Sequence, residues 1–296
     1  TGALETAEQT GRQALQLAEA NSAPVHAEVH SPLYYLARVV QARGRFAEAI
    51  ALFERDLEIA RAVYGQNHSV TADVNANLAN ALRRAGRSND ALPAAREALA
   101  IYERSVGNEH SKYAHAATLL AGLLQETGNI EDAEPLLLAA LATYEARNGP
   151  QHTNTAYGLK NYGDYLFRVG RLEEARDPYS RAYEIRKMVS GPEHPETALM
   201  AVTIGALDLQ QGNLEEAEAR FLEALAIQEK AYAADHPRLA ETLSFIGWLR
   251  VTAQQWDDCE EPLQRALDIW RTQFPDDHPT VERARFELDS CLARGS

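Results

Sequence analysis

Methionine and cysteine are nearly missing from this chain of 296 residues, with two of each, and lysine is scarce at four against 25 arginines. Two cysteines, Cys259 and Cys291, are too few for a disulfide framework or a paired-cysteine metal motif. Both stand where equivalent positions are small or apolar, so they are expected to be buried free thiols. No apolar run approaches the roughly 18 residues of a membrane span, and no secretory signal is visible, which points to a cytoplasmic protein without a membrane partner. Basic charge is in deficit, with Lys+Arg 29 against Asp+Glu 43 and a formal charge of −14. That balance opposes sequence-independent attraction to nucleic acid. There is no glycine-rich phosphate loop and no serine in a strand-to-helix elbow. Glu173-Glu174 and Glu215-Glu216 fall in first turns of helices, where carboxylates complement the helix dipole, so neither pair reads as an acid and base. No enzyme activity and no cofactor are expected. The excess of arginine over lysine, with abundant alanine, suggests a GC-rich bacterial genome.

What is present is periodic. Seven of the nine histidines, His26, His68, His110, His152, His194, His236 and His278, follow one another at intervals of 42 residues without insertion or deletion. Such spacing marks a tandem array of equivalent structural units. Eighteen residues after each histidine stands Gly44, Gly86, Gly128, Gly170 or Gly212, with Gln254 the departure. Five residues further on come Ala49, Ala91, Ala133, Ala175, Ala217 and Cys259, small enough for two helices to approach closely. Ten residues after the histidine the chain is apolar, from Leu36 to Leu288, and in the first six copies the next residue is alanine or glycine, from Ala37 to Gly247.

Each unit reads as two antiparallel helices. In the fifth, His194-Pro195-Glu196-Thr197 starts the first helix, since proline at an early position loses no hydrogen bond. Ala198, Ala201, Ile204, Gly205 and Leu207 follow at helical spacing. Gly212 stops the helix. The second helix runs from about Leu214 to Ala231, with Ala217, Phe221, Leu222, Leu225 and Ile227 as its apolar stripe.

The histidine-proline starts (His194-Pro195, His236-Pro237, His278-Pro279), the leucine-alanine or leucine-glycine pairs and segments such as Gly212-Asn213-Leu214-Glu215-Glu216-Ala217-Glu218 resemble the tetratricopeptide repeat in its 42-residue, kinesin-light-chain-like form. The resemblance covers essentially the whole chain. It implies an all-α, right-handed α-solenoid of antiparallel helix pairs over residues 1–296: an orphan second helix at 1–25, six full repeats at 26–277 and a capping helix at 278–296. It also implies a non-catalytic protein-interaction scaffold that takes a peptide or protein segment in a concave groove. A regulatory or sensor module of a larger signalling protein, fused to a protease, kinase or transcription factor, is the alternative.

The periodic histidines do not read as metal ligands. Neighbouring helices pack about 8–10 Å apart, whereas a metal holds nitrogen ligands at about 2 Å. Each imidazole is expected to pack at the junction between helix pairs and to hydrogen-bond a backbone or carboxylate group. His30 and His115 lie outside the column.

At the N-terminus the register gives Gly2 and Ala7 the glycine and alanine columns, leaving a second helix without its first. The expectation is a chain cut from a longer protein, or an orphan helix that packs against another element, with an apolar edge (Ala7, Leu15, Leu17, Ala18) available for self-association. At the other end Glu282 replaces alanine and Arg285, Glu287 and Asp289 follow, as in a solvating cap.

The resemblance places the groove on the first helices, five, eight, nine, twelve, fifteen and sixteen residues after each histidine. These positions carry Arg38, Arg83, Arg84, Lys160 and Arg168 against Asp73, Glu126, Asp164 and Glu241. Asn77 and Asn161 share one column, Arg84 and Arg168 another. Asparagine amides bond both N–H and C=O of an extended peptide, and arginine holds a carboxylate in a fork. One reading is a site for an extended segment bearing an acidic group or C-terminal carboxylate. Asn77, Asn80, Arg84, Lys160, Asn161 and Arg168 would hold it, with His115 and Tyr157 beside it and Phe245 and Trp248 taking an apolar side chain. The other is an internal ladder in which Glu126 bridges Arg84 and Arg168.

Overall fold

The 3.6-residue periodicity resolves into fourteen α-helices, and no strand occurs among the described residues. The computed structural model describes residues 2–295; Thr1 and Ser296, the outer ends of the expected orphan and capping segments, lie outside them. Six pairs follow the expected register: α2 (Ala27–Ala42) with α3 (Phe46–Tyr64), α4 (Ser69–Arg84) with α5 (Ser88–Ser105), α6 (Ser111–Glu126) with α7 (Ala133–Asn148), α8 (Thr153–Arg168) with α9 (Leu172–Ser190), α10 (Pro195–Gln211) with α11 (Leu214–Ala231), and α12 (Pro237–Thr252) with α13 (Trp256–Gln273). They are flanked by α1 (Gly2–Asn21) and α14 (Pro279–Gly295), and a 3-10 turn at Ile130–Asp132 precedes α7. The chain forms two compact units, Thr1–Pro150 and Gln151–Ser296. Within the first, α2 touches α4 and α4 touches α6; within the second, α10 touches α12 and α12 touches α14. In each unit these first helices lie side by side, the arrangement of an α-solenoid.

The histidines are helix caps. The Nδ1 of each of the seven accepts the backbone N–H two residues on, at 3.0–3.3 Å, satisfying a donor that a helix start leaves orphaned. Tyr232 and Phe274 stack on His236 and His278 with ring centroids 4.0 Å apart, so the residue four places ahead of the cap braces it.

The glycine column ends the first helices in the left-handed conformation, and Gln254 adopts it too, at φ 59°. Because Cβ makes that conformation costly for any residue but glycine, and Gln254 is exposed, Gln254→Gly is expected to stabilise the chain by about 0.5–1 kcal/mol. A thermal midpoint no higher than that of the parent would contradict this.

Within each unit the core lies between paired helices and between a second helix and the first helix that follows it. Ala49, Ala91, Ala133, Ala175, Ala217 and Cys259 are all fully buried. Where the column after the apolar one is glycine, the partner helix has moved in: a Cβ on Gly247 would lie 2.3 Å from Leu263 Cγ, and one on Gly163 2.5 Å from the Tyr179 ring. In α11 the buried face is Ala217, Phe221, Ala224, Ile227 and Gln228, while Leu222 is exposed; it sits about 100° around the helix from Phe221 and is not part of the stripe expected.

Three further expectations need correction. Cys259 and Cys291 are not free thiols but a disulfide joining α13 to α14. Their columns belong to a second helix and the following first helix, which pack together and set the Cα atoms 6.1 Å apart, within bonding reach. α14 is not polar throughout: Val281, Ala284, Leu288 and Cys291 are buried, and Phe286 and Leu292 are large exposed apolar residues. In α1 the expected stripe divides. Leu15 is buried, Ala7 and Leu17 are exposed, and Ala18 is intermediate. Beside the buried Leu15, Glu8 pairs with Arg12 of its own helix and with Arg43 and Arg45 of the connection between α2 and α3. Arg45 foremost, with Arg12 and Arg43, draws this carboxyl down to about 2 against the opposing effect of desolvation.

Candidate functional site

The first-helix face of the N-terminal unit carries Asn77, Asn80, Arg84 and His115, on α4 and α6. Asn77 Nδ2 donates to the Asp73 carbonyl at 2.8 Å and to Tyr34 Oη at 2.9 Å. Asn80 and Arg84 are exposed. The Arg84 guanidinium lies 5.1 Å from the ring centroid of Phe46, so its face is occupied by α3. His115 bonds through Nδ1 to the Ser111 carbonyl at 2.7 Å and meets Tyr144 edge-on.

The rung expected of Arg84 is supplied by its neighbour. Arg83 Nε reaches Glu126 Oε1 at 2.7 Å, and Ser88 Oγ donates to Oε2 at 2.6 Å. Helical geometry explains the swap, since adjacent residues point about 100° apart and only Arg83 aims along the stack toward α6. Asp73 is likewise engaged, accepting from Tyr102 Oη at 2.6 Å and Lys112 Nζ at 2.8 Å. Burial, followed by that bond to Asp73, pushes the Tyr102 hydroxyl well above its ordinary value.

In the C-terminal unit the corresponding residues sit on α8 and α12. Asn161 Nδ2 donates to the Tyr157 carbonyl at 2.6 Å, repeating the Asn77 geometry. Lys160 pairs with Asp164 at 2.7 Å, and Tyr179 Oη donates to the other Asp164 oxygen at 2.9 Å. Arg168 is exposed and Tyr157 is 40% exposed. Phe245 stacks on Phe221 with centroids 5.2 Å apart, and Trp248 stands 48% exposed beside it. Glu241 pairs with Arg238 at 2.8 Å. The charges read as groove charges are therefore to a large extent already matched within their own unit.

Phe245 and Trp248 form one wall of a cleft of about 400 Å³ whose other wall is Phe286 and Glu287 of α14. Phe286 and Glu287 stand eight and nine residues after His278, in groove columns. The column rule, carried into the last helix, would have found both.

Family comparison follows this geometry closely. A family model for the tetratricopeptide repeat matches residues 28–104, 113–188, 158–230 and 196–272. The chain is a tetratricopeptide-repeat protein. Among solved structures similar to this repeat protein is BtubC (BKLC) from P. vanneervenii, at 25% identity and TM-score 0.67 over 78% of this chain and 94% of that one. A Podosopora anserina protein named for kinesin light chain, with nearly identical TPR-like repeats, is 22% identical with TM-score 0.59 over 67% of this chain and 94% of its own. A Rap protein in complex with competence and sporulation factor shares the fold at 14% identity and TM-score 0.60, over 98% and 86%. Comparison with curated protein sequences gives no match. Among the described residues no helix is long and apolar enough to cross a membrane.

Proposed function

We propose that this repeat protein, one array over residues 1–296, is a non-catalytic scaffold that binds an extended segment of a partner protein on its first-helix face. The observation that carries the reading is the repeated posture of Asn77 and Asn161. Each ties Nδ2 to the carbonyl four residues earlier, and among the described residues nothing donates to either Oδ1. An asparagine so fixed presents an acceptor to a peptide N–H at little further entropic cost. Arg84 and Arg168, exposed about two helical turns beyond them, would hold an acidic group or C-terminal carboxylate, with Asn80 and His115 in the first unit and Tyr157 and Lys160 in the second beside them. The Rap protein solved with competence and sporulation factor is an instance of this fold accommodating a partner. The function suits equally a free-standing adaptor and a regulatory module of a larger signalling protein.

Asn77→Ala and Asn161→Ala are each expected to weaken an acidic peptide with a free C-terminus by about 1 kcal/mol, leaving the thermal midpoint unchanged. Fluorescence anisotropy with that peptide and its amidated form reads both the site and the carboxylate. Equal binding by all variants would remove the site from this face.

The N-terminal edge supports a second contact, self-association: Leu4, Leu17 and Val25 are exposed near or along α1, and such faces tend to find another surface. Sedimentation velocity should show a concentration-dependent dimer that Leu17→Glu abolishes; a strict monomer at high concentration would end this part of the proposal. The disulfide bears on the compartment. Such bonds are rare in the cytosol of most cells, so a cytoplasmic protein would hold the pair reduced, and alkylation of the protein in its own cells followed by mass spectrometry reads which form exists.

A further inference from the structure

The cleft between α12 and α14 differs in kind from the polar first-helix surface elsewhere. Two large aromatic faces are uncovered there, Trp248 at 48% and Phe286 at 69% exposure. Phe245, stacked from behind on Phe221, gives a third wall that is fixed in place. In a column that reads Tyr35, Asn77, Leu119, Asn161, Thr203 and Phe245, the seventh copy alone has a carboxylate, Glu287.

That carboxylate is half satisfied. Its Oε1 lies 3.4 Å from Arg283 Nε on the rim, while its Oε2 is buried and no described group hydrogen-bonds to it. A buried acceptor without a donor is an uncompensated loss of hydration. Burial pushes the Glu287 carboxyl up, with the nearby Arg283 charge opposing. The cleft thus offers flat π surfaces together with the Glu287 carboxylate, which among the described residues only Arg283 engages.

We propose that this cleft receives an arginine side chain from a partner polypeptide. Guanidinium is planar, stacks on aromatic faces, carries five N–H donors and is weakly hydrated. It is the side chain able both to lie against Trp248 and Phe286 and to pair with the Glu287 carboxylate that lines the cleft. An aliphatic side chain would cover the rings and leave the Glu287 carboxylate to Arg283 alone. A carboxylate would meet Glu287 and, at the rim, Glu241. The inference rests on the scaffold reading of the first-helix face and names the side chain taken at one place on it.

The test uses the full chain, nitrogen-15 labelled, with the Trp248 indole N–H assigned by Trp248→Phe. Titration with acetyl-Gly-Arg-Gly-amide is expected to shift that signal saturably. The citrulline peptide, which keeps the shape and loses the charge, is expected not to saturate, and Glu287→Gln should weaken the arginine peptide about tenfold. An equal response to citrulline, undiminished binding by Glu287→Gln, or a silent Trp248 at millimolar peptide would overturn the proposal. A second titration with acetyl-Gly-Asp-Asp bearing a free carboxylate separates the two readings. Shifts around Asn77 or Asn161 with silence at Trp248 leave the scaffold standing and remove only the arginine site, whereas silence at both places removes both.

Discussion

Replacing His30 by alanine is expected to lower the stability of the N-terminal unit by about 3 kcal/mol, because it strands a buried acid. His30 of α2 and Asp56 of α3 meet at 2.8 Å through Nδ1 and Oδ1, with Asp56 fully buried and its Oδ2 without a partner. In the five other helix pairs the same two columns hold alanine against alanine, as in Ala72 with Ala98 and Ala240 with Ala266. The pair is thus a polar insertion into an otherwise apolar contact. The double variant H30A/D56A, which restores the alanine pair, should recover much of the loss, since removing both partners of a buried pair costs far less than removing one.

The pH dependence follows in sign. Burial raises the Asp56 carboxyl above the usual carboxylate range, and the hydrogen bond from His30 pulls the other way. A group whose folded pKa lies above its unfolded value contributes stability in full below the unfolded pKa and loses it as pH rises through the folded one. Without His30 the folded value climbs further, so the deficit of His30→Ala should be larger at neutral pH than near pH 4, about the ordinary carboxylate value. Urea unfolding at the two pH values measures it. A deficit that grows on acidification would mean that the carboxylate is not the stranded group.

Opening the Cys259–Cys291 bond is expected to have an effect of similar size in the other unit. The bond closes a loop with a sequence separation of 32 residues, for which the chain-entropy account gives about 3–4 kcal/mol. Among the described residues α14 packs mainly against α13, with α12 beside it, and stability in a repeat array is a sum of nearest-neighbour terms. The loss should therefore concentrate in this helix, seen as accelerated amide exchange over 279–293 in the reduced protein or in C259A/C291A, with α8 to α11 little changed. Because Phe286 and Glu287 ride on α14, the cleft should loosen with it. Identical unfolding midpoints with and without reductant would show that the bond contributes nothing in solution.

How far the sequence could be read depended on whether a property repeats. The 42-residue spacing located the starts and stops of the helices, the small residues that let them touch and the recurring histidines, because each of those roles recurs at one register and local geometry alone enforces it; that the histidines are caps came from the structure. Departures from a column were equally legible once noticed: Gln254 among glycines proved to be a left-handed residue, and His30 and Asp56 among alanines proved to be partners. Their pairing could have been inferred from the columns, since every other copy brings those two positions together.

Other pairings between side chains on neighbouring helices the columns could not decide. Arg83 and Arg84 are one residue apart and chemically alike, and only the orientation of α4 against α6 and α3 gives one to Glu126 and the other to the ring of Phe46. Cys259 and Cys291 looked like two separate buried thiols until the packing of α13 on α14 set them face to face. The aromatic cleft with Glu287 likewise exists only because α12 and α14 lie side by side. A one-dimensional period specifies which face each residue takes, through 3.6 residues per turn. Which side chain across the gap it meets depends on helix rotation and spacing, which the core settles as a whole, and there the tertiary structure alone made the choice.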